Sequence, residues 1–441
     1  MKDQSSIPTS KVARATQFVK TGVKIGGNYL KYNVKKIIDS DTDKEELHRD
    51  NASDIYNGLS NLKGSALKVT QMLSMDKGML PKAYRDKFMM SQYSAPPLSG
   101  PLVVKTFKKY LGKSPLEIFD KFEIKASNAA SIGQVHQGWK NNKKLAIKIQ
   151  YPGVSESISA DLKMIKPIAT SMFSLNEKDV ERYMGEVESR LKEETDYVLE
   201  LKRSQYITEA CGHLINLKFP VYYPEYSSDK ILTMDWMEGM HMKEFLATKP
   251  SQEIRNTIGQ ALWDFYDFQI HTLRQVHADP HPGNFLFQNN GEVGVIDFGC
   301  IKEIPEDYYN NYFALLNFET LKDVKKTEEI FLNLEFIVSS DSAQERLFFS
   351  DLFKQMIFLL GKPFATDTFD FSDEVYFQSV YDFAEKLTQI EELKKGKVAR
   401  GSQHGLYVNR TYFGLYSLLN ELQSTIKINK PDWLTANNLK K

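Results

Sequence analysis

The chain of 441 residues is long enough for two or three ordinary domains or for one large two-lobed domain. Lysine plus arginine and aspartate plus glutamate each total 57, so the formal net charge is zero, which argues against a general nucleic-acid binder. The two cysteines exclude a disulfide framework or a cysteine-based zinc site and favour a reducing compartment. Neither a membrane span of roughly 18 apolar residues nor a signal peptide is visible.

The first 37 residues form a basic segment, with eight Lys and Arg side chains against a single Asp. Apolar residues are interleaved with these charges, partly at helical spacing: Val12, Ala15, Phe18, Val19, Val23 and Ile25. Three interpretations stay open for residues 1–37. They are an amphipathic helix on an anionic membrane, a flexible basic tail, or a helix packed on the body of the protein.

The acidic stretch 39–50 is interpreted as a linker, and a helix is predicted over residues 54–76. An apolar stripe at steps of three and four supports this helix: Leu59, Leu62, Ala66, Val69 and Leu73. Lys68 falls on the opposite face and Gln71 on a neighbouring one. The pattern alone is typical of a solvated lysine at position 68.

Strands are predicted after residue 122. The stretch 128–136 leads into a strand, Asn141 and Asn142 mark a turn, and residues 145–150 form the next strand. Helices are predicted over 155–210, a strand over 230–236, and a long helix capped by Ser251 that runs through Val276. The chain after Pro305 is predicted to be helical. A hairpin is predicted around the Asn289-Asn290-Gly291 turn.

The most informative segment runs from His277 to Asn284. Asp279 and Asn284 have the D-x-x-x-x-N spacing of a kinase catalytic loop, and the hairpin after them ends in Asp297-Phe298-Gly299. Metal-dependent phosphoryl transfer needs hard oxygen ligands for Mg²⁺ beside an orienting carboxylate. We therefore predict Asp279 as the catalytic carboxylate and Asn284 and Asp297 as metal ligands. His136, His277 and His281 are interpreted as structural.

Two further stretches bear on the nucleotide. Lys148, in the strand Leu145-Ala-Ile-Lys148, matches the strand lysine that binds the α- and β-phosphates. The phosphate loop departs from G-x-G-x-x-G, because residues 128–133 read Asn-Ala-Ala-Ser-Ile-Gly and retain one glycine. The Ser131 hydroxyl could still bind phosphate or metal.

The chain resembles the UbiB/AarF family of atypical, protein-kinase-like proteins and is similar to its mitochondrial members, which support coenzyme Q synthesis. The resemblance covers residues 56–425. It rests on six stretches: 63–74, 129–136, 147–154, Glu194-Thr-Asp-Tyr197, 277–284 and 297–299. It implies an α+β, two-lobed protein-kinase-like fold with a helical N-terminal extension that caps the active site.

The resemblance also implies roles and domains. Lys68 and Gln71 fall on the K-x-G-Q motif of the capping helix, with Thr70 in place of its glycine. Glu194 and Asp196 fall on the E-x-D motif, and Asn128 replaces the first alanine of the nucleotide loop. The remaining implied nucleotide contacts are Ala130 and Ser131 in that loop, Glu200 as a carboxylate partner for a lysine, and Met234, Asp235, Trp236 and Met237 as the hinge. The predicted domains are 1–53 (basic segment and acidic linker), 54–121 (helical extension), 122–236 (N-lobe) and 237–441 (C-lobe).

These features predict an atypical kinase or ATPase that binds ATP or ADP with Mg²⁺. The segment between Gly299 and Pro305 is too short to dock a peptide, and no A-P-E motif follows, which disfavours protein phosphorylation. By resemblance the partner is a lipid or isoprenoid quinone precursor, and the location is cytoplasmic or peripheral at the inner membrane or its organellar equivalent. The alternatives are a phosphotransferase of the aminoglycoside or choline kinase type and a catalytically inactive scaffold.

Overall fold

The computed structural model describes residues 11–38, 44–62, 87, 97–129, 132–172, 177–317, 319–390 and 400–429. The chain divides into two compact units. The first contains the residues up to Lys202 and Val221–Trp236, and the second contains Arg203–Pro220 and the residues from Met237 onward. Within the described ranges, no helix is long and apolar enough to cross a membrane.

The first unit begins with helices. They are α1 (Lys11–Ile38), α2 (Lys44–Leu62), α3 (Gly100–Leu111) and α4 (Pro115–Ile118). α2 packs along α1 and buries Leu47, Ala52, Ile55 and Leu59. The prediction of a linker at 39–50 is therefore wrong from Lys44 onward, because Leu47 extends the apolar stripe of α2 by two turns. The remainder of the predicted helix 54–76 lies outside the described residues from residue 63.

An antiparallel sheet forms the centre of the first unit. Its strands are β1 (Lys121–Phe122), β2 (Asn128–Ala129), β3 (Gly133–Lys140), β4 (Lys143–Gln150) and β6 (Ile231–Asp235), in the order β1-β3-β4-β6 with β2 also paired to β3. Asn141 and Asn142 both have positive φ, at 51° and 62°, which is the conformation of the tight turn predicted between β3 and β4. Lys148 lies between Val135 and Leu232 of the neighbouring strands.

Three helices follow β4 in the chain: α5 (Val154–Met172), α6 (Glu177–Glu194) and α7 (Tyr197–Cys211). α7 passes from the first unit into the second at Lys202. α5 packs on α6 and also receives α1, whose Arg14 Nε donates to Asp161 Oδ1 at 2.7 Å in a buried ion pair. Thus α1 is a helix packed on the first unit, which is one of the three interpretations of the basic segment.

The second unit opens with small sheets around one long helix. The elements are β5 (Leu217–Lys218), α8 (Met242–Ala247), α9 (Gln252–Phe268), β7 (Gln275–His277), β8 (Phe285–Phe287), β9 (Val293–Val295) and β10 (Ile301–Glu303). β8 and β9 form the predicted hairpin, and β7 pairs with β10. Ser251 caps α9 as predicted, accepting from Ile254 N at 3.3 Å.

The predicted extension of α9 through Val276 is wrong. The α-helix ends at Phe268, and a π-helical turn over Gln269–Leu273 leads to Arg274, which has φ of +56°. A left-handed residue ends a helix, and it turns Val276 into the ladder with β10. The apolar pattern did not reveal this break, because a buried residue such as Val276 fits a strand as well as the core face of a helix.

The rest of the second unit is largely helical. It contains α10 (Glu306–Ala314), α11 (Val324–Asn333), α12 (Ala343–Leu360), β11 (Thr368–Asp370), α13 (Glu374–Gln389), α14 (Gln403–Leu422) and β12 (Thr425–Lys427). The pair of β11 with β12 corrects the prediction that everything after Pro305 is helical. A buried aromatic core around Trp263 joins α9 to α14 through Tyr416. Helices with several small sheets make this an α+β protein, as predicted.

Candidate active site

The strand lysine of the first unit is buried in an ion pair. Lys148 Nζ lies 2.8 Å from Glu200 Oε1, and the two side chains are only 10% and 3% exposed. The ammonium also lies 5.2 Å from the centroid of the Tyr197 ring. The structure therefore brings together Lys148 and Glu200, which the sequence analysis had named as a lysine and a carboxylate partner.

The first turn of α7 positions both partners of Lys148. Asp196 precedes this turn, and its Oδ1 accepts from Leu199 N at 2.9 Å, the arrangement of an N-cap. Tyr197 and Glu200 are three residues apart, so they share one face of α7. The Asp of the E-x-D motif thus fixes the start of the helix that carries Glu200. Glu194 is half-buried in the last turn of α6.

In the second unit, pairings on either side of the catalytic loop bring its polar residues together. His277 pairs with Ile301 between β7 and β10, and Ala278 N donates to Cys300 O at 2.8 Å. On the other side, Ile296 N donates to Asn284 O at 3.0 Å. These bonds place Asp279 and Asn284 beside the segment that carries Asp297, as the spacing of the motifs predicted.

The carboxylate of Asp279 has donors on both oxygens. Asn284 Nδ2 donates to the Asp279 main-chain oxygen at 2.9 Å and approaches Oδ2 at 3.4 Å. Arg410 Nη2 donates to Oδ1 at 3.2 Å. These side chains are partly exposed, with Asp279 at 24% and Arg410 at 28%. The loop is therefore held by polar contacts between side chains that are partly exposed to solvent.

Buried aromatic rings support this loop from beneath. His277 is fully buried, its main-chain N–H donates to Gln269 Oε1 at 2.9 Å, and its ring lies against Tyr266 and Phe298. Burial raises the pKa of Tyr266 well above its usual range, and the nearby Asp279 carboxylate adds to the rise. Phe298 is fully buried, which anchors the Asp-Phe-Gly turn.

The other two histidines singled out by sequence make local contacts. His281 Nδ1 accepts from Gly283 N at 3.0 Å inside the catalytic loop. His136 is buried in β3 between Gln134 Nε2 and the Glu123 carbonyl, and burial lowers its pKa. Both sets of contacts fit structural roles.

Asn284 and Asp297 offer oxygen ligands of the kind that Mg²⁺ prefers. Since Asn284 Nδ2 is bonded to Asp279, the amide oxygen is the atom that can bind a cation. Asp297 accepts from Gly299 N at 2.8 Å through one oxygen, which fixes the carboxylate at the turn. In the part of the chain that the structure describes, no three His, Cys, Asp or Glu side chains cluster as a metal site.

The predicted hinge residues lie at the end of β6 and directly after it, and the structure describes their contacts. Met234 is buried in β6, Asp235 accepts from Tyr223 Oη at 2.7 Å, and Trp236 N donates to Lys144 O at 3.0 Å. Met237 is the first residue of the second unit after this strand. Lys68, Gln71, Ala130 and Ser131 lie outside the described residues, so their roles stay predictions.

Sequence reasoning missed Arg410 and Gln269. Gln269 lies in the π-helical turn that the sequence pattern did not reveal. Arg410 reaches Asp279 across 131 residues of chain, and no motif marks it. One face of α14 carries Tyr407, Arg410 and Gly414, but their helical spacing does not predict which part of the protein this face contacts.

Comparisons with known sequences identify the family of this chain. The model of the ABC1 atypical kinase-like domain matches residues 90–331. The protein named Atypical kinase COQ8, mitochondrial, from Saccharomyces cerevisiae is 31% identical over 84% of this chain and 75% of its own length. The probable serine/threonine-protein kinase abkA of Dictyostelium discoideum is 24% identical over 95% of this chain and 78% of its own.

A solved structure supports the fold. The Rv3197 protein of Mycobacterium tuberculosis, solved in complex with erythromycin, aligns with a TM-score of 0.59 at 24% identity, over 89% of this chain and 97% of that one. This likeness concerns the fold alone. Since the family model spans more than half of the chain and a relative above 30% identity spans most of it, the chain belongs to the ABC1 atypical kinase-like family and is similar to the yeast COQ8 protein.

Proposed function

We propose that this protein is an ATPase or small-molecule kinase that binds Mg²⁺-nucleotide and serves isoprenoid quinone or lipid metabolism at a membrane surface. The observation that carries the proposal is the arrangement of Asp279, Asn284 and Asp297 on one hydrogen-bonded loop and hairpin. These are the oxygen donors and the orienting carboxylate that phosphoryl transfer needs.

Each residue has a defined part in this proposal. Lys148, held by Glu200, would bind the α- and β-phosphates, and Asn284 and Asp297 would hold the metal. Bound Mg²⁺ supplies charge neutralisation on the phosphate oxygens. Asp279 would orient the attacking water or hydroxyl oxygen and accept its proton.

The short segment after Gly299 favours a small acceptor over a peptide. β10 follows Cys300 directly and α10 begins at Glu306, so the chain offers no long platform between the Asp-Phe-Gly turn and the next helix. Water or a small lipid-like alcohol is the acceptor that such a segment allows. The aminoglycoside or choline kinase alternative and the inactive scaffold have no observation of their own in their favour.

The membrane part of the proposal rests on α1. Its Val19, Val23 and Leu30 are 65%, 70% and 69% exposed and fall within about 60° of one another on the helix. Lys20, Lys24 and Lys31 are exposed along one side of this stripe. Phe18, another apolar residue of the basic segment, is buried, so apolar insertion would depend on the exposed stripe of Val19, Val23 and Leu30.

The quinone part rests on the resemblance and on the name of the yeast relative, which is called COQ8 and mitochondrial. The test is phosphate release from ATP by purified protein, with and without Mg²⁺, anionic liposomes and quinone-precursor lipids. We expect Mg²⁺-dependent release that the liposomes and precursors increase. Failure to bind or hydrolyse Mg²⁺-ATP under all these conditions would overturn the proposal.

A further inference from the structure

The C-terminal helix α14 lies directly against the catalytic loop. Arg410 donates to Asp279, and one turn later Gly414 packs on Pro280. A Cβ at position 414 would overlap Pro280 Cγ, so this close approach requires glycine. Residues four apart share a helix face. Two neighbouring loop residues are therefore contacted by two successive turns of one helix.

A third contact extends the same face of α14. Tyr407 lies three residues before Arg410, and Lys302 Nζ lies 5.0 Å from the centroid of its ring. Lys302 belongs to β10, the strand that pairs with β7 and so closes the catalytic loop from the other side. The helix thus contacts the loop and also the strand that pairs beside it.

The contact with Arg410 determines how the Asp279 carboxylate is held. Asn284 reaches Oδ2 only at 3.4 Å and donates more closely, at 2.9 Å, to the main-chain oxygen. Oδ1 has a charged donor in Arg410. Charge-assisted hydrogen bonds are roughly twice as strong as neutral ones, and a guanidinium is a rigid, planar donor. Arg410 is therefore the stronger of these two restraints on carboxylate rotation.

We propose that Arg410 is a positioning residue, through which α14 fixes the Asp279 carboxylate in the orientation needed for attack on the phosphate. The inference rests on the proposed phosphoryl-transfer function and adds a residue to it. Positioning of the reacting groups is, together with electrostatic stabilisation, what a protein contributes to phosphoryl transfer. A small displacement of the carboxylate should therefore lower turnover more than nucleotide binding.

The test compares Arg410→Gln with Arg410→Lys and with a control, Arg400→Gln. Arg400 also pairs with an aspartate, Asp341, through two bonds with Nη1–Oδ2 and Nη2–Oδ1 distances of 2.6 and 2.7 Å, in a more buried position. It contacts no residue of the catalytic loop among the described hydrogen bonds. Turnover at saturating Mg²⁺-ATP should fall about 10- to 100-fold in Arg410→Gln, with the nucleotide Kd changed by less than about threefold. Arg410→Lys should recover part of the loss. Arg400→Gln should lower the melting temperature without lowering turnover per folded molecule.

A double variant separates positioning from independent action. In single-turnover assays, Arg410→Gln should add little to the loss caused by Asp279→Asn, because it acts through that carboxylate. Full additivity, or unchanged turnover in Arg410→Gln while the wild type hydrolyses ATP, would overturn the inference. A wild type that neither binds nor hydrolyses Mg²⁺-ATP would instead overturn the proposed function. If Arg410→Gln fails to fold, two other variants replace it in the same single-turnover assay. They are Arg410→Lys and Gly414→Ala, and the second displaces α14 from Pro280 without changing charge. Turnover equal to that of the wild type in both variants would overturn the inference.

Discussion

The two groups of candidate active-site residues hold their charges in different ways. In the first unit, Lys148 and Glu200 are buried and paired at 2.8 Å. In the second unit, Asp279, Asn284 and Asp297 are part-exposed loop residues held by hydrogen bonds that include main-chain atoms and, at Asp279, by the side chain of Arg410. When one partner of a buried ion pair is removed, the other is left as an uncompensated buried charge, which destabilises the fold. At a part-exposed site, water can solvate the polar groups that lose a partner.

The difference indicates which substitutions should affect stability and which should affect activity alone. Substitutions in the loop of the second unit should remove function while the fold persists. Substitutions of the buried pair should lower both stability and nucleotide binding. This contrast can be tested at the loop, at the buried pair and on the two faces of α1.

The largest effect is expected for Asp297→Asn. Replacing the carboxylate removes the anionic metal ligand, which is worth several kcal/mol, so Mg²⁺-dependent turnover should fall roughly 1000-fold. The free energy of unfolding should change by less than about 1 kcal/mol, because Asp297 is part-exposed. Turnover and thermal-shift titration with Mg²⁺-ATP provide the measurements.

The matched control for that experiment is Asp307→Asn, an exposed carboxylate in the first turn of α10. It should keep both turnover and the stabilisation by Mg²⁺-ATP. Equal stabilisation by Mg²⁺-ATP in Asp297→Asn and the wild type would show that the metal assignment is wrong.

The next effect concerns the buried pair. Lys148→Met and Glu200→Gln should each lower the free energy of unfolding by about 3–5 kcal/mol, since each leaves a buried charge without its partner. The double variant should regain most of this stability and yet bind nucleotide no better than Lys148→Met. Denaturant unfolding of the first unit, followed together with nucleotide affinity, measures both effects.

A surface pair provides the comparison for this second prediction. Lys218 and Glu292 lie 3.2 Å apart and are 54% and 29% exposed. Lys218→Met should therefore cost less than about 1 kcal/mol. A Lys148→Met variant as stable as Lys218→Met would contradict the contrast between buried and exposed charges.

The sequence predicted the local parts of this structure better than the long-range ones. The catalytic loop and the β8–β9 hairpin lie within about 20 residues, so motif spacing and turn chemistry were sufficient to predict that Asp279 and Asn284 lie beside the segment that carries Asp297. The Lys148–Glu200 pair was accessible only through the family resemblance, since 52 residues separate its members.

Other features depend on contacts that periodicity does not encode. α2 begins at Lys44 and packs along α1, and its first turns bury Leu47 although the surrounding residues are polar. The end of α9 follows from the left-handed Arg274 and from pairing with β10, and no glycine or proline marks it. Arg410 could not be predicted, because its partner lies on a loop far away in the sequence.

The smallest effect is expected on α1, where buried and exposed faces lie on one helix. Arg14, Phe18 and Thr21 face the first unit, and Val19, Val23 and Leu30 lie on roughly the opposite side. Each lysine near an anionic surface contributes about 1 kcal/mol, and full burial of a Val or Leu side chain contributes about 1.5–3 kcal/mol. Partial insertion of three such side chains would still strengthen binding measurably.

Replacing Val19, Val23 and Leu30 together by Gln, a good helix former, should therefore weaken binding to anionic liposomes at least about tenfold and leave ATP turnover in solution unchanged. The control triple, Val324→Gln, Leu347→Gln and Val375→Gln, replaces the same residue types at 69%, 66% and 77% exposure on helices of the second unit. It should bind liposomes as the wild type does. The contribution of the lysines is electrostatic and is screened by salt, so 0.5 M salt should also weaken the binding of the wild type to anionic liposomes. Equal co-sedimentation of both triple variants with anionic liposomes would show that Val19, Val23 and Leu30 make no membrane contact.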